Sequence, residues 1–187
     1  MTFPIDPTVV AYDFTVGLSD LLITDFGIFD HDANGLYDAY DIIVWDSMGL
    51  PIANGSVPQG TVAQLTEGFR YTELVSTTRL NAGETYVIGT WYSGEGDGIG
   101  RSTSWDTTAN SHFSSVGANH AIFESDSLEF PNSFDGTNPM WGPTFQYNVV
   151  PEPSTWALFL CGGVVLFVRL RQGFGGQTRL RKRYKSI

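Results

Sequence analysis

The sequence predicts an all-β body, an antiparallel β-sandwich of jelly-roll-like form over residues 1–149, followed by a single short C-terminal transmembrane helix and a basic tail within 150–187. Three observations predict it. Apolar and polar residues alternate in several short runs, which buries one face of a strand and solvates the other. Gly- and Asn-containing turns separate those runs. Charge divides the chain. Residues 1–152 hold all 20 acidic residues and three of the ten basic ones, a balance of −17, whereas residues 153–187 hold seven bases and no acid. Two segments so different in charge have different tasks.

The body begins with Val10, Tyr12, Phe14 and Val16 alternating with Ala11, Asp13 and Thr15. Similar runs follow at 22–29, 40–46, 69–75, 85–92 and 121–130. Phe145, Tyr147 and Val149 close the body, alternating with Thr144, Gln146 and Asn148. Turns are expected at Asn34-Gly35, Met48-Gly49, Asn54-Gly55, Asn81-Ala82-Gly83, Asp97-Gly98 and Asp135-Gly136. Residues 93–120 are rich in Gly, Ser, Thr and Asn and read as a long loop with room for one strand. No helical period is sustained before residue 150, and seven or eight short strands at this spacing suit a sandwich.

Composition excludes several classes. The hydrophobic content of 42% is too high for wholesale disorder. A single cysteine, Cys161, excludes an internal disulfide framework. The acidic body repels nucleic acid, whose phosphates need a basic surface.

The tail reads differently. Trp156–Val168 is an apolar run of 13 residues without a charge. As helix it is roughly 20 Å long at ~1.5 Å per residue, against a hydrocarbon thickness of ~30 Å. Residues 154 and 155 and snorkelling arginines lengthen it, giving a span over 154–168. Arg169 and Arg171 stop the span at the membrane, and the basic tail 169–187 sets the orientation, with bases inside and the body outside.

Pro151, Glu152 and Pro153, the apolar run and the arginine cluster stand in one contiguous order. In that order they resemble the PEP-CTERM sorting signal of exported proteins from Gram-negative bacteria that make exopolysaccharide. The resemblance implies recognition and cleavage by an exosortase, a membrane-embedded Cys peptidase, and a mature protein in the cell envelope or extracellular matrix. The stretches Leu22-Ile-Thr-Asp-Phe-Gly-Ile-Phe-Asp30, Ile43-Val-Trp-Asp46, Gly68-Phe-Arg-Tyr71 and Leu80-Asn-Ala-Gly-Glu-Thr-Tyr-Val-Ile-Gly89 are similar in pattern to domains of unknown function on such proteins. Export also implies a secretory leader. Met1-Thr-Phe-Pro-Ile-Asp6 has no basic start and no charge-free apolar run, so two readings stand: the true start and its leader lie upstream, or, with Met1 as the start, the C-terminal helix inserts as a tail anchor and leaves the body in the cytoplasm.

The motif makes physical sense by itself. Pro151 and Pro153 fix φ, remove two donors and disfavour helix in the residue before each. The tripeptide stays extended, where a peptidase can bind it as a strand. Ser154 or Thr155 then caps the helix, and Glu152 lies near its positive end. The bases beyond Gln172-Gly-Phe-Gly-Gly-Gln177 have two readings, a contact with anionic lipid headgroups at about 1 kcal/mol per base or a simply solvated segment.

Candidate chemistry in the body is sparse. Asp30, Asp32, Asn34, Asp38 and Asp41 stand at relative positions 1, 3, 5, 9 and 12, with Gly35 at 6. That is calcium-loop spacing with Asp in place of the final Glu. One reading is a structural calcium ion bridging the runs at 22–29 and 40–46. The other is an Asn-Gly hairpin with solvated acids. No other cofactor is expected. His31, His112 and His120 show no metal spacing, and no nucleophile elbow or convergent carboxylate pair stands out, so no catalytic residue is assigned and the body is read as non-enzymatic. Trp45, Trp91, Trp105 and Trp141 could stack on sugar rings, although the first two suit a core. The alternatives are a carbohydrate-binding module for secreted polysaccharide and a secreted hydrolase.

Overall fold

The computed structural model describes residues 2–3, 7–94, 96–97, 99–101, 111–123, 125–131 and 140–151. Its strands are β1 (Thr2–Phe3), β2 (Thr8–Val16), β3 (Leu21–Phe29), β4 (Tyr40–Asp46), β5 (Pro51–Val57), β6 (Gln64–Thr66), β7 (Phe69–Leu80), β8 (Thr85–Tyr92), β9 (Ile99–Arg101), β10 (Phe113–Phe123), β11 (Met140–Trp141) and β12 (Pro143–Val149). Among the described residues there is no helix. The fold is all-β, and every strand pair is antiparallel.

Two sheets form the sandwich. One has the order β10-β2-β8-β4-β5, the other β12-β3-β7-β6, and a small third sheet has the order β1-β9-β11. Period two explains the layers. Val10, Phe14 and Val16 of β2, Ile42 and Val44 of β4, and Tyr86 and Ile88 of β8 turn one way. They meet Leu21, Ile23, Phe26 and Ile28 of β3 in one buried core. The opposite face of the five-stranded sheet is also partly covered: Ala11, Trp45 and Val87 are buried beneath Leu128 and Phe130.

Three expectations about the body are corrected. The turn at Asn54-Gly55 is a strand instead: both residues lie in β5, paired with Ile43 and Ile42. Glycine fits there because a Cβ at Gly55 would lie 2.8 Å from both Leu74 Cδ2 and Phe26 Cδ2. The β4–β5 turn is the one expected at Met48-Gly49, where Asp46 Oδ1 accepts from Met48 N and Leu50 N, each at 2.9 Å. The run 121–130 is not one strand. β10 starts at Phe113, inside the stretch read as loop, and ends at Phe123. Residues 125–130 then cross the sheet, and Ser125 O accepts from Trp91 Nε1 at 2.6 Å. Their apolar side chains mimic a strand because they cover a sheet.

The chain divides into two compact units, Met1–Val150 and Pro151–Ile187. The last ladder pair of the first is Val149 with Leu21. Of the second, Pro151 is described, and it is exposed.

Candidate functional site

The loop from Asp30 to Tyr40 joins the two sheets, leaving β3 and entering β4. Asp30 closes β3 and is 1% exposed. Its Oδ2 accepts from Arg70 Nε at 2.6 Å and from Gly35 N at 3.1 Å. Arg70 comes from β7 and is 4% exposed. It also donates from Nη1 to Ala63 O at 3.0 Å and from Nη2 to Ala33 O at 3.3 Å. One planar guanidinium therefore ties the end of β3, the loop and the approach to β6. A charge this deep is tolerated because it is paired and hydrogen-bonded.

The other loop oxygens are dispersed. Asp32 is exposed and accepts from Asn34, through N at 3.4 Å and through Nδ2 at 2.5 Å. Asp38 Oδ2 accepts from Ser93 Oγ at 2.9 Å. Asp41 lies on β4 with its side chain exposed. Among the described residues no three acidic, His or Cys side chains converge as a metal set. The cation on Asp30 is the Arg70 guanidinium. A metal at this loop would have to take Asp30 through Oδ1, a buried oxygen with no hydrogen-bond partner.

The loop gains a carboxylate that spacing did not reveal. Asp97, from beyond β8, accepts through Oδ2 from Tyr37 N at 2.6 Å and from Tyr40 Oη at 2.9 Å. Burial holds its carboxyl above the usual carboxylate range; the two bonds pull it back, and Asp30 and Asp32 push it up again. Burial and the Asp97 charge raise the Tyr40 phenol in turn. Tyr40 therefore stays a donor.

The folded state holds the Asp97 proton more tightly than the unfolded chain does. Protonation thus favours folding, and the ionised carboxylate weighs against folding once pH rises above its raised pKa. Asp97→Asn keeps an acceptor for Tyr37 and Tyr40 and removes the charge. It is expected to melt at a higher temperature than wild type at pH 7, and the gap should narrow as pH falls through the Asp97 titration. Melting curves from pH 4 to pH 8 check this; a lower melting temperature for the variant at pH 7 would contradict it. Asp20 has the opposite sign. The Ala82 N–H and the Arg79 guanidinium hold its carboxyl below the usual range, so its contribution is lost as pH falls below that range.

Other candidates take definite places. Trp45 is buried, edge-on to Phe130 at 5.8 Å. Trp91 is half-buried on Ser125 O. His31 is exposed beside Phe29, and His112 Nδ1 lies 3.1 Å from Tyr147 Oη. Trp105 and the side chains of Trp141 and His120 lie outside the description. A cleft of 490 Å³ opens between the edge of β5 and the outer part of β7, with Glu73 as its one carboxylate.

The chain gives no significant match to any family model, curated protein or solved structure. Among the described residues no helix is long and apolar enough to cross a membrane. Glu152, Pro153, the span 154–168, Arg169 and Arg171 all lie outside them, as does the rest of the basic tail.

Proposed function

We propose that this is an exported cell-envelope or extracellular-matrix protein whose tail is a PEP-CTERM-like sorting signal, read and cleaved by an exosortase. One observation carries the reading. Pro151-Glu152-Pro153, an uncharged run of 13 residues and the arginines Arg169 and Arg171 stand in one order, with five more bases beyond residue 178, on a body that is otherwise strongly acidic. The charge step fits a membrane crossing with the bases inside. β12 ends at Val149 and Pro151 is exposed, so the motif begins where sheet pairing stops. A peptidase then meets an extended, donor-poor tripeptide with no strand to unzip. The body is carried cargo with no catalytic role.

Replacing Pro151 and Pro153 together by Ala tests the reading. Helix can then extend back through residue 152. The variant is expected to insert in the membrane as wild type does, and to stay uncleaved in a host with an exosortase. Immunoblots of membrane and soluble envelope fractions follow both forms. Equal processing of variant and wild type would contradict the role of the motif.

A further inference from the structure

The four-stranded sheet carries a row of aromatic rings outside the buried core. Phe29 and Phe69 stand opposite each other in the β3–β7 register, their ring centres 5.3 Å apart. Both alternate with residues that turn inward, Ile28 and Arg70, so they share the face away from the core. Tyr71 lies two residues further along β7, 6.3 Å from Phe69. His31 extends the row the other way, 5.9 Å from Phe29. The rings of Phe29, Phe69 and Tyr71 are half-buried and His31 is exposed.

Tyr71 owes its position to Gly27, its partner in register. A Cβ at Gly27 would lie 2.5 Å from Tyr71 Cε1, so only glycine lets the phenol lie across β3. Carboxylates follow on the same face. Asp25 and Glu73 oppose each other one step beyond Gly27 and Tyr71. Burial raises the Tyr71 phenol, a hydrogen bond with the Thr144 side chain pulls it back, and the charges of Glu67 and Asp25 push it up again, so acids stand close to this ring.

Like charges opposed across two strands oppose pairing. Partly exposed rings leave apolar area in water. Both features suit a ligand with weakly positive C–H faces and many hydroxyl donors. A pyranose offers both: its axial C–H groups match the negative face of an aromatic ring, and its hydroxyls donate to carboxylates in charge-assisted bonds. The ring centres stand 5.3 and 6.3 Å apart with their planes tilted by 56° and 40°, so each ring turns its face in its own direction. An anionic ligand is disfavoured by a body of net charge −16, from 19 acids and three bases.

We propose that this face binds a neutral polysaccharide, with Phe29, Phe69 and Tyr71 stacking on successive sugar rings and Asp25 and Glu73 accepting hydrogen bonds from their hydroxyls. The site belongs to the body alone, so it stands or falls independently of the sorting tail.

Affinity electrophoresis of the full chain tests it, in native gels with a polyoxyethylene detergent that carries no sugar. The gels contain hydroxyethyl cellulose, dextran or laminarin, with alginate as the anionic control. At least one neutral glycan is expected to retard the protein, and alginate is not. Phe69→Ala and Tyr71→Ala should each weaken retardation at least tenfold. Asp25→Asn with Glu73→Gln should weaken it with the rings intact, which separates binding from folding. Leu18→Ala, at a turn 90% exposed, should change nothing. Circular dichroism confirms that each variant is folded. Absence of retardation in all three neutral gels, or wild-type retardation of the folded ring variants, would overturn the proposal. A dimer in sedimentation, lost in the same variants and without glycan binding, would assign the face to self-association instead.

Discussion

Arg70→Met is expected to destabilise the body by about 3–5 kcal/mol, the cost of removing one partner from a buried ion pair. Against a total of about 5–15 kcal/mol for a domain, that is a large share. The loss has three parts. The Asp30 carboxylate stays buried without its cation. Ala63 O and Ala33 O lose their donor. The loop to β4 loses its tie to β7. Arg70→Lys should recover only part of this, because an ammonium lacks the fork that reaches three acceptors. Asp30→Asn should cost a similar amount to Arg70→Met. The double variant should cost much less than the sum, because it leaves no unpaired charge. Urea unfolding of the four proteins measures the coupling. Simple additivity would show that the pair is not the unit that closes the loop.

Phe14→Ala is expected to cost a further about 3–5 kcal/mol, as for other buried aromatic truncations. Phe14 is 1% exposed and sits at the centre of the core. Its ring lies 5.9 Å from Tyr86, 5.8 Å from Phe113 and 5.1 Å from Phe145. Those three come from β8, β10 and β12, so one side chain joins both sheets. Truncation leaves a void bounded by rigid rings, which collapse poorly into it. Phe14→Leu should recover much of the loss, since it keeps most of the apolar volume. A cost below about 1 kcal/mol for Phe14→Ala would mean that the sheets are not joined through this cluster.

The alternation was legible wherever a strand has one buried and one wet face. β2 reads directly, since Val10, Phe14 and Val16 enter the core and Asp13 and Thr15 do not. β5 was hidden because Asn54-Gly55 is turn chemistry, and only the packing of Leu74 and Phe26 explains a glycine in that strand. The start of β10 was hidden by its small polar residues. They suit an edge strand with two register shifts, which carries little periodic signal. Strand order was not legible either. β8 lies between β2 and β4, although in the chain β3 to β7 separate it from β2 and β5 to β7 separate it from β4. Alternation says which face is buried but not which strand lies alongside.

The loop acids were legible as a cluster of oxygens, and their partners were not. Arg70 lies 40 residues from Asp30. The available signal was its register: in the run Phe69, Arg70, Tyr71, Thr72, the base stands at the inward position of β7. A base there needs a buried partner. Asp97 stood in a Gly-rich stretch that reads as a flexible loop, and nothing in its neighbours announces the two tyrosine contacts. The tail is legible in another way. Its order of proline, apolar and basic segments is linear information that requires no fold.

The mass of the mature C-terminus tests the central claim most directly. The full chain, behind an added secretory signal peptide, is expressed in a host with an exosortase and in the same host lacking it. Protein extracted from the envelope is then analysed by peptide and intact mass spectrometry. The account predicts that the exosortase host yields body peptides through β12 and none from residues 169–187, whereas the host without the enzyme retains the complete tail. Recovery of the intact C-terminus from mature, exported protein in the exosortase host would contradict it.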